Sequence, residues 1–194
     1  MSTKESFDAI RRAHQEGYYN ITCEVSPHHL VLNEEMIENG NWKMNPPLRS
    51  RENQEATVAA LLDGTACMVA SDHAPHAKQE KEGPYEKCLN GIIGLETMLP
   101  IIYTEFVKTK KISLDRFLEL MVYRPIEVFH LPKRRLEIGY PADIAVLDIE
   151  HLHTYTEAEI VSKGKNSPFI GKAYYGFAVC TLVDGKVVYR KQEA

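Results

Sequence analysis

A chain of 194 residues with 44% hydrophobic side chains holds enough apolar material for one buried core, or one core with a small appendage. A net charge of −4 offers no basic surface for nucleic acid, and no apolar run approaches the roughly 20 residues of a membrane-spanning helix. The start, Met1-Ser2-Thr3-Lys4-Glu5-Ser6, is polar and lacks the apolar stretch of a signal peptide. Cys23, Cys67, Cys88 and Cys180 are far apart and form no CxxC pair. Cys23 and Cys67 lie in apolar, strand-like runs, which reads as buried free thiols of a reducing cytosol, with disulfides as the alternative.

In chain order, residues 4–16 read as an amphipathic helix, since Phe7, Ile10 and His14 share one face and Gly17 ends it. Residues 21–25 read as a strand closed by Ser26-Pro27, and a polar loop rich in Asn and Glu runs to residue 41. A second helix covers 51–62, with Ala56, Ala59, Ala60 and Leu62 available for packing, and Asp63-Gly64 terminates it. A strand at 66–70 follows. Helix, strand, helix, strand with short joins is the pattern of parallel α/β units.

The 66–70 strand stops at Ser71-Asp72-His73-Ala74-Pro75-His76. An Asp at the C-terminal tip of a buried strand, followed by two histidines, stands where (β/α) barrels keep their chemistry. Asp can bind a metal or accept and return a proton, and His can grip an anionic substrate. The hexapeptide by itself fits equally an Asp capping a turn beside two surface histidines.

Beyond His76 the run Lys78-Gln79-Glu80-Lys81-Glu82-Gly83-Pro84 has the composition of a flexible surface loop. It is either plain solvated surface or, from its position after the Asp-His cluster, a lid over residues 77–90. Helices are expected over 95–108 and 113–122, with a short one after Pro125. From Gly139 the chain turns β-rich, with a strand over 142–148. A hairpin is expected at 180–183 and 186–189, around Asp184-Gly185.

Three motifs in register carry a resemblance: Glu24-Val25-Ser26-Pro27-His28-His29-Leu30, Lys43-Met44-Asn45-Pro46-Pro47-Leu48-Arg49 and Ser71-Asp72-His73-Ala74-Pro75-His76. With Gly139-Tyr140-Pro141-Ala142-Asp143-Ile144 and Asn166-Ser167-Pro168-Phe169-Ile170-Gly171, they resemble bacterial dihydroorotases of the amidohydrolase superfamily over essentially the whole chain. The resemblance implies an α/β fold, the C-terminal part of a (β/α)8 barrel with its last two strands, followed by helices and a small β-rich segment. It divides the chain into residues 1–135, barrel with the loop 77–90, and residues 136–194, a partial β-sandwich. It implies a cytoplasmic zinc enzyme of pyrimidine biosynthesis that interconverts N-carbamoyl-L-aspartate and dihydroorotate.

By resemblance Asp72 binds the metal and carries the proton from the attacking hydroxide to the leaving nitrogen. Asn45, His76 and the backbone at Asn90 and Gly91 hold the substrate, although the family more often has an aromatic where Asn90 stands. His73 supports Asp72. The His28–His29 pair is not the family's metal motif and is expected to hydrogen-bond and shape the strand end. Arg49 is expected in a structural salt bridge rather than on an anion, and His14, His130, His151 and His153 on surfaces or helix faces.

The departure from the family pattern is large. The HxHxR pair and the other upstream ligands have no counterpart, and Met1 stands where the motif Ser-Thr-Lys-Glu-Ser is normally preceded by a His. His151-Leu152-His153 has HxH spacing but lies in the β-rich tail without a following Arg. Of the family's ligands only Asp72 remains, and catalytic zinc needs about three protein ligands, so the chain alone is expected neither to retain zinc nor to turn over. Two parallel strands with open edges predict that the chain alone associates with something or reorganises, and the partners that the resemblance implies are an N-terminal half, a second copy or aspartate carbamoyltransferase. Allantoinase- or hydantoinase-type cyclic amidases and a non-catalytic interaction subunit are the alternative readings.

Overall fold

The computed structural model describes residues 1–133 and 135–191. Local signals account for the first helices. Thr3 caps α1 (Lys4–Gln15) by accepting from the Ser6 N–H, and Phe7 on its inner face is fully buried. Ser50 caps α3 (Arg51–Leu62) in the same way through the Asn53 N–H.

Two short parallel strands accompany these helices, β1 (Glu24–Val25) and β2 (Met68–Val69), with Glu24 opposite Met68 and Val25 opposite Val69. Backbone bonds from Cys67 N to Cys23 O and from Ala70 N to Val25 O, both 3.0 Å, extend the ladder by one residue at each end. The strands are shorter than expected over 21–25 and 66–70. Ile21 at the start of the first run is exposed, and no further strand pairs with either one among the described residues.

Residues 27–31, read from sequence as the start of a loop, form the helical turn α2 (Pro27–Val31). Pro27 stands at its start, where a fixed φ and a missing N–H cost nothing, and the turn buries His28, His29 and Leu30. The charged run 77–90 also has structure: a helical turn α4 (Lys78–Lys81) and a 3₁₀ turn over Tyr85–Lys87.

The two expected helices after the loop form as α5 (Met98–Ile102), continuing in π-helical turns to Lys108, and α6 (Leu114–Leu118), continuing to Tyr123 and into α7 (Arg124–Val128). Pro125 lies inside α7 near its start rather than before it. The β-rich part holds β3 (Ile144–Asp148), β4 (His153–Thr154), β5 (Ala173–Tyr174), β6 (Phe177–Val183) and β7 (Lys186–Arg190). β3, β6 and β7 form an antiparallel sheet in that order, and β4 pairs with β5. The hairpin turn has Asp184 at φ 47 and Gly185 at φ 76, the paired positive φ of a tight primed turn. The β4–β5 pair was not legible, because two-residue strands carry no periodicity.

Two apolar clusters hold these parts together. One joins Phe7, Val25, Leu61, Val69, Ile102, Phe106 and Leu120, and so packs α1 and α3 and the helices after 97 around the parallel strands. The other joins Leu32, Trp42, Met44, Ile92, Ile93 and Ile101 with Tyr155, Phe169 and Tyr174. The segment 155–174 therefore packs back on residues 32–48 and 92–101, across the boundary at 135–136 expected from sequence. Asn45 and Gly91 are each one residue from a buried member of this second cluster.

Candidate active site

Asp72 stands just past β2 in the left-handed region, at φ 50. A non-glycine residue there is uncommon, Asp being among the more tolerant, and such positions gather at functional sites. The turn puts the carboxylate on the exposed side of the strand tips, where Asp72 Oδ2 lies 3.6 Å from His28 Nε2. His28 is 1% exposed, and its Nε2 is the buried side-chain polar atom left without a hydrogen-bond partner among the described residues. Burial holds its ring well below the usual His range, with the neighbouring His29 adding to the effect. A neutral imidazole with an unpaired nitrogen therefore faces an exposed carboxylate.

Hydrogen bonds shaping the strand end are expected of the pair; the His28 Nε2 makes none, and His29 makes one, to the 45–47 turn. Its Nε2 bonds to Pro46 O at 3.0 Å, tying the Asn45–Pro47 turn to α2. Burial lowers its pKa as well. Asn45 itself is exposed, and its side chain makes no hydrogen bond to the described residues, so its amide is free for a ligand.

His76 is held by three polar contacts. Its Nε2–H donates to Asn90 O at 2.8 Å, its Nδ1 lies 3.5 Å from Glu80 Oε2, and its backbone N–H donates to Asn166 Oδ1 at 2.9 Å. Gly91 adopts φ 135, and a Cβ there would lie 2.6 Å from Ala74 Cβ and 2.9 Å from His76 Nε2. Glycine is thus required for the close approach of the two segments. The Gly91 N–H donates to Lys43 O at 2.9 Å, and its carbonyl accepts from Lys81 Nζ and Asn166 Nδ2.

Two sequence expectations are redirected. His73 Nδ1 accepts the N–H groups of Gly94 and Leu95 at 3.1 and 3.3 Å, which anchors the turn before α5 rather than the Asp72 carboxylate. Arg49 Nε reaches Ser2 Oγ at 3.4 Å, and among the described residues it forms no ion pair. His14, His151 and His153 bond to Ile21 O, Asp148 and Glu159. All four cysteines are free, and burial pushes the Cys23 thiol up to about 11.

Lys81 and Asn166 are the residues that sequence reasoning missed. Lys81 sits in a charge run indistinguishable from solvated surface, yet it is 6% exposed. Asn166 belongs to a motif noticed only for its resemblance. With Asn39, Gly40, Lys78 and Lys163, both line a cleft of about 460 Å³ beside His76.

A metal centre needs more than the Asp72–His28 pair. Among the described residues no three His, Cys, Asp or Glu side chains converge as ligands. The donor set present does not fit a zinc site by itself.

The fold and these motifs define a class. The chain belongs to the amidohydrolase family, whose model matches residues 8–188, and it has that family's α/β fold. It is 49% identical to the dihydroorotase of Listeria innocua serovar 6a, over 100% of this chain and 46% of that protein. It is 48% identical to the dihydroorotase of Brevibacillus brevis, over 98% of this chain and 45% of that one. Among solved structures it is similar to L-hydantoinase from Arthrobacter aurescens, with a TM-score of 0.88 at 30% identity, covering 100% of this chain and 44% of that one. A dihydropyrimidinase from Brevibacillus agri NCHU1002 gives 0.89 at 26% identity, covering 98% and 43%. The chain thus spans about half the length of the curated relatives it matches.

Proposed function

We propose that this chain is part of a dihydroorotase, opening dihydroorotate to N-carbamoyl-L-aspartate and closing it again, in cytoplasmic pyrimidine biosynthesis. The observation that carries the reading is the Asp72 carboxylate at a parallel strand tip, 3.6 Å from a buried, unpaired His28 nitrogen. It stands in a chain 49% identical over its whole length to curated dihydroorotases. In the ring-opening direction water adds to the amide carbonyl, the C–N bond breaks, and the nitrogen takes a proton. Asp72 is the group that takes the proton from the attacking water and delivers it to that nitrogen. Its neighbour His28, held neutral, does not quench the charge.

Asn45 offers an amide donor and acceptor to the ring. His76 faces a substrate carboxylate, with the backbone at Asn90 and Gly91 beside it. In the present geometry both His76 ring nitrogens are engaged by Asn90 O and Glu80, so a carboxylate reaches the ring by displacing Glu80. The β1–β2 pair is read as the last two strands of a (β/α)8 barrel. Residues 1–135 form the barrel part, and residues 136–194 form a partial β-sandwich whose segment 155–174 docks back on it. Zinc is the metal implied by the family. Since this chain supplies Asp72 without a ligand set around it, no step is assigned to the metal, and an N-terminal half, a second copy or aspartate carbamoyltransferase are the partners to test.

A hydantoinase-type activity is the second enzyme reading. It rests on fold similarity at 30% identity or less among the solved relatives named above, against 49% for dihydroorotases. A non-catalytic interaction subunit is favoured by the missing ligand set. The test is zinc content and dihydroorotate hydrolysis, with hydantoin and allantoin as competing substrates. Both are measured on the chain alone and mixed with an N-terminal dihydroorotase half. Turnover of dihydroorotate only in the mixture, abolished by Asp72→Asn, is the expected result. Absence of turnover in every mixture would leave the interaction subunit.

A further inference from the structure

A lysine in a charged loop normally points its ammonium into water. Lys81 does the reverse: its Nζ donates to Lys43 O at 3.0 Å, Leu89 O at 2.7 Å and Gly91 O at 2.8 Å. An ammonium has three N–H donors, and all three are placed on backbone carbonyls, with no carboxylate among them. Its backbone is gripped as well. The Cys88 thiol donates to Lys81 O at 3.3 Å, and Gly40 approaches so closely that a Cβ there would lie 2.1 Å from the same oxygen.

Asn166, 3% exposed, meets this arrangement from the far end of the chain. Its Nδ2 donates to Ala74 O and Gly91 O, both at 3.0 Å, while its Oδ1 accepts from His76 N. The Gly91 carbonyl therefore receives two buried donors from segments 85 residues apart in sequence (81 and 166). Lys43 O joins the node from a third segment, accepting from both Lys81 and the Gly91 N–H, two residues before Asn45.

We propose that Lys81 is a positioning residue: its ammonium, together with the Asn166 amide, sets where Gly91, Asn90 and the His76 ring stand, and so shapes the anion-facing side of the site. The last clause rests on the reading of His76 and Gly91 as substrate neighbours; the pin itself does not. Leucine or methionine at 81 would fill the same space, leave Leu89 O without its donor and take one of two donors from Lys43 O and from Gly91 O, so a loss on substitution isolates the N–H donors rather than the packing.

The first experiment compares the wild-type chain with Lys81→Met by amide hydrogen exchange. The Gly91 and Leu89 amides are expected to exchange at least about tenfold faster in the variant, with those of α3 unchanged. Equal exchange at Gly91 in the two proteins overturns the proposal. In Lys81→Ala, methylammonium is expected to restore protection, and tetramethylammonium, with the same charge and no N–H, is not; equal rescue by both overturns it.

Should the variants fail to fold, competitive acetylation of the wild type decides. Lys81 is expected to react at least about tenfold more slowly than the exposed Lys78, and equal rates refute the pin. Finally, dihydroorotate is titrated onto wild type and Lys81→Met, each mixed with an N-terminal dihydroorotase half, while the His76 and Gly91 amide resonances are followed. Binding weaker by about tenfold in the variant supports positioning, and unchanged binding alongside loosened exchange overturns it. If dihydroorotate shifts neither resonance in the wild type, the substrate reading fails, and the exchange and acetylation arms alone judge the pin.

Discussion

His28 and His29 are buried side by side at the foot of the site, and burial lowers the pKa of both. The folded chain therefore keeps them neutral at a pH where the unfolded chain, titrating near 6.5, takes up protons. Below about pH 6.5 the unfolded state binds more protons, so stability falls as pH falls, at up to about 1.4 kcal/mol per unit for each ring, and is flat with respect to these groups above pH 7. Urea unfolding at pH 5.5 and 7.5 checks this, and His29→Gln should flatten the slope. Gly91→Ala puts a methyl 2.6 Å from Ala74 Cβ in a backbone region unsuited to Ala. We expect a loss of about 1–3 kcal/mol and a shifted His76 amide resonance; an unperturbed spectrum would remove Gly91 from the site.

At the scale of elements, α3 shows what a short stretch can decide for itself. Ser50 supplies the cap oxygen, Asp63-Gly64 the stop, and Arg51–Leu62 is the helix that the pattern predicts. Ser50→Ala should cost about 1 kcal/mol by thermal or urea unfolding, with the fold unchanged. The parallel strands fared less well: an apolar run marks where a strand can form, while its length depends on which neighbours pair with it. The turn 27–31 was hidden because Pro27 reads as a terminator as easily as a helix start. The 77–90 run was hidden because a buried Lys81 and a solvated one are spelled alike.

Over the whole molecule, Asp72 and His28 come together without a third ligand among the described residues. The purified chain should accordingly hold well under one zinc per chain by elemental analysis after dialysis, since catalytic sites use about three protein ligands. A stoichiometric zinc that survives dialysis would show that His28 and Asp72 gather further donors in solution. Val146, Val187 and Val188 on the β3–β6–β7 sheet are exposed, and β1 and β2 pair with no further strand among the described residues. Self-association at tens of micromolar, followed by sedimentation, is the expected behaviour of such surfaces.

The sequence by itself determined the helices at 4–16 and 51–62 with the residues that end them, the Asp184-Gly185 hairpin, and the position of Asp72, His76 and Asn45 in motifs that placed the chain in its family. These are local matters of periodicity, capping oxygens, backbone freedom and residue chemistry at fixed spacing. Only the tertiary structure decided that His28 faces Asp72 with an unpaired nitrogen, that His73 serves the turn before α5, and that Lys81 and Asn166 meet on one carbonyl. Those depend on which backbone groups from distant segments are left needing partners once the core has closed, and no short stretch of the chain contains that information.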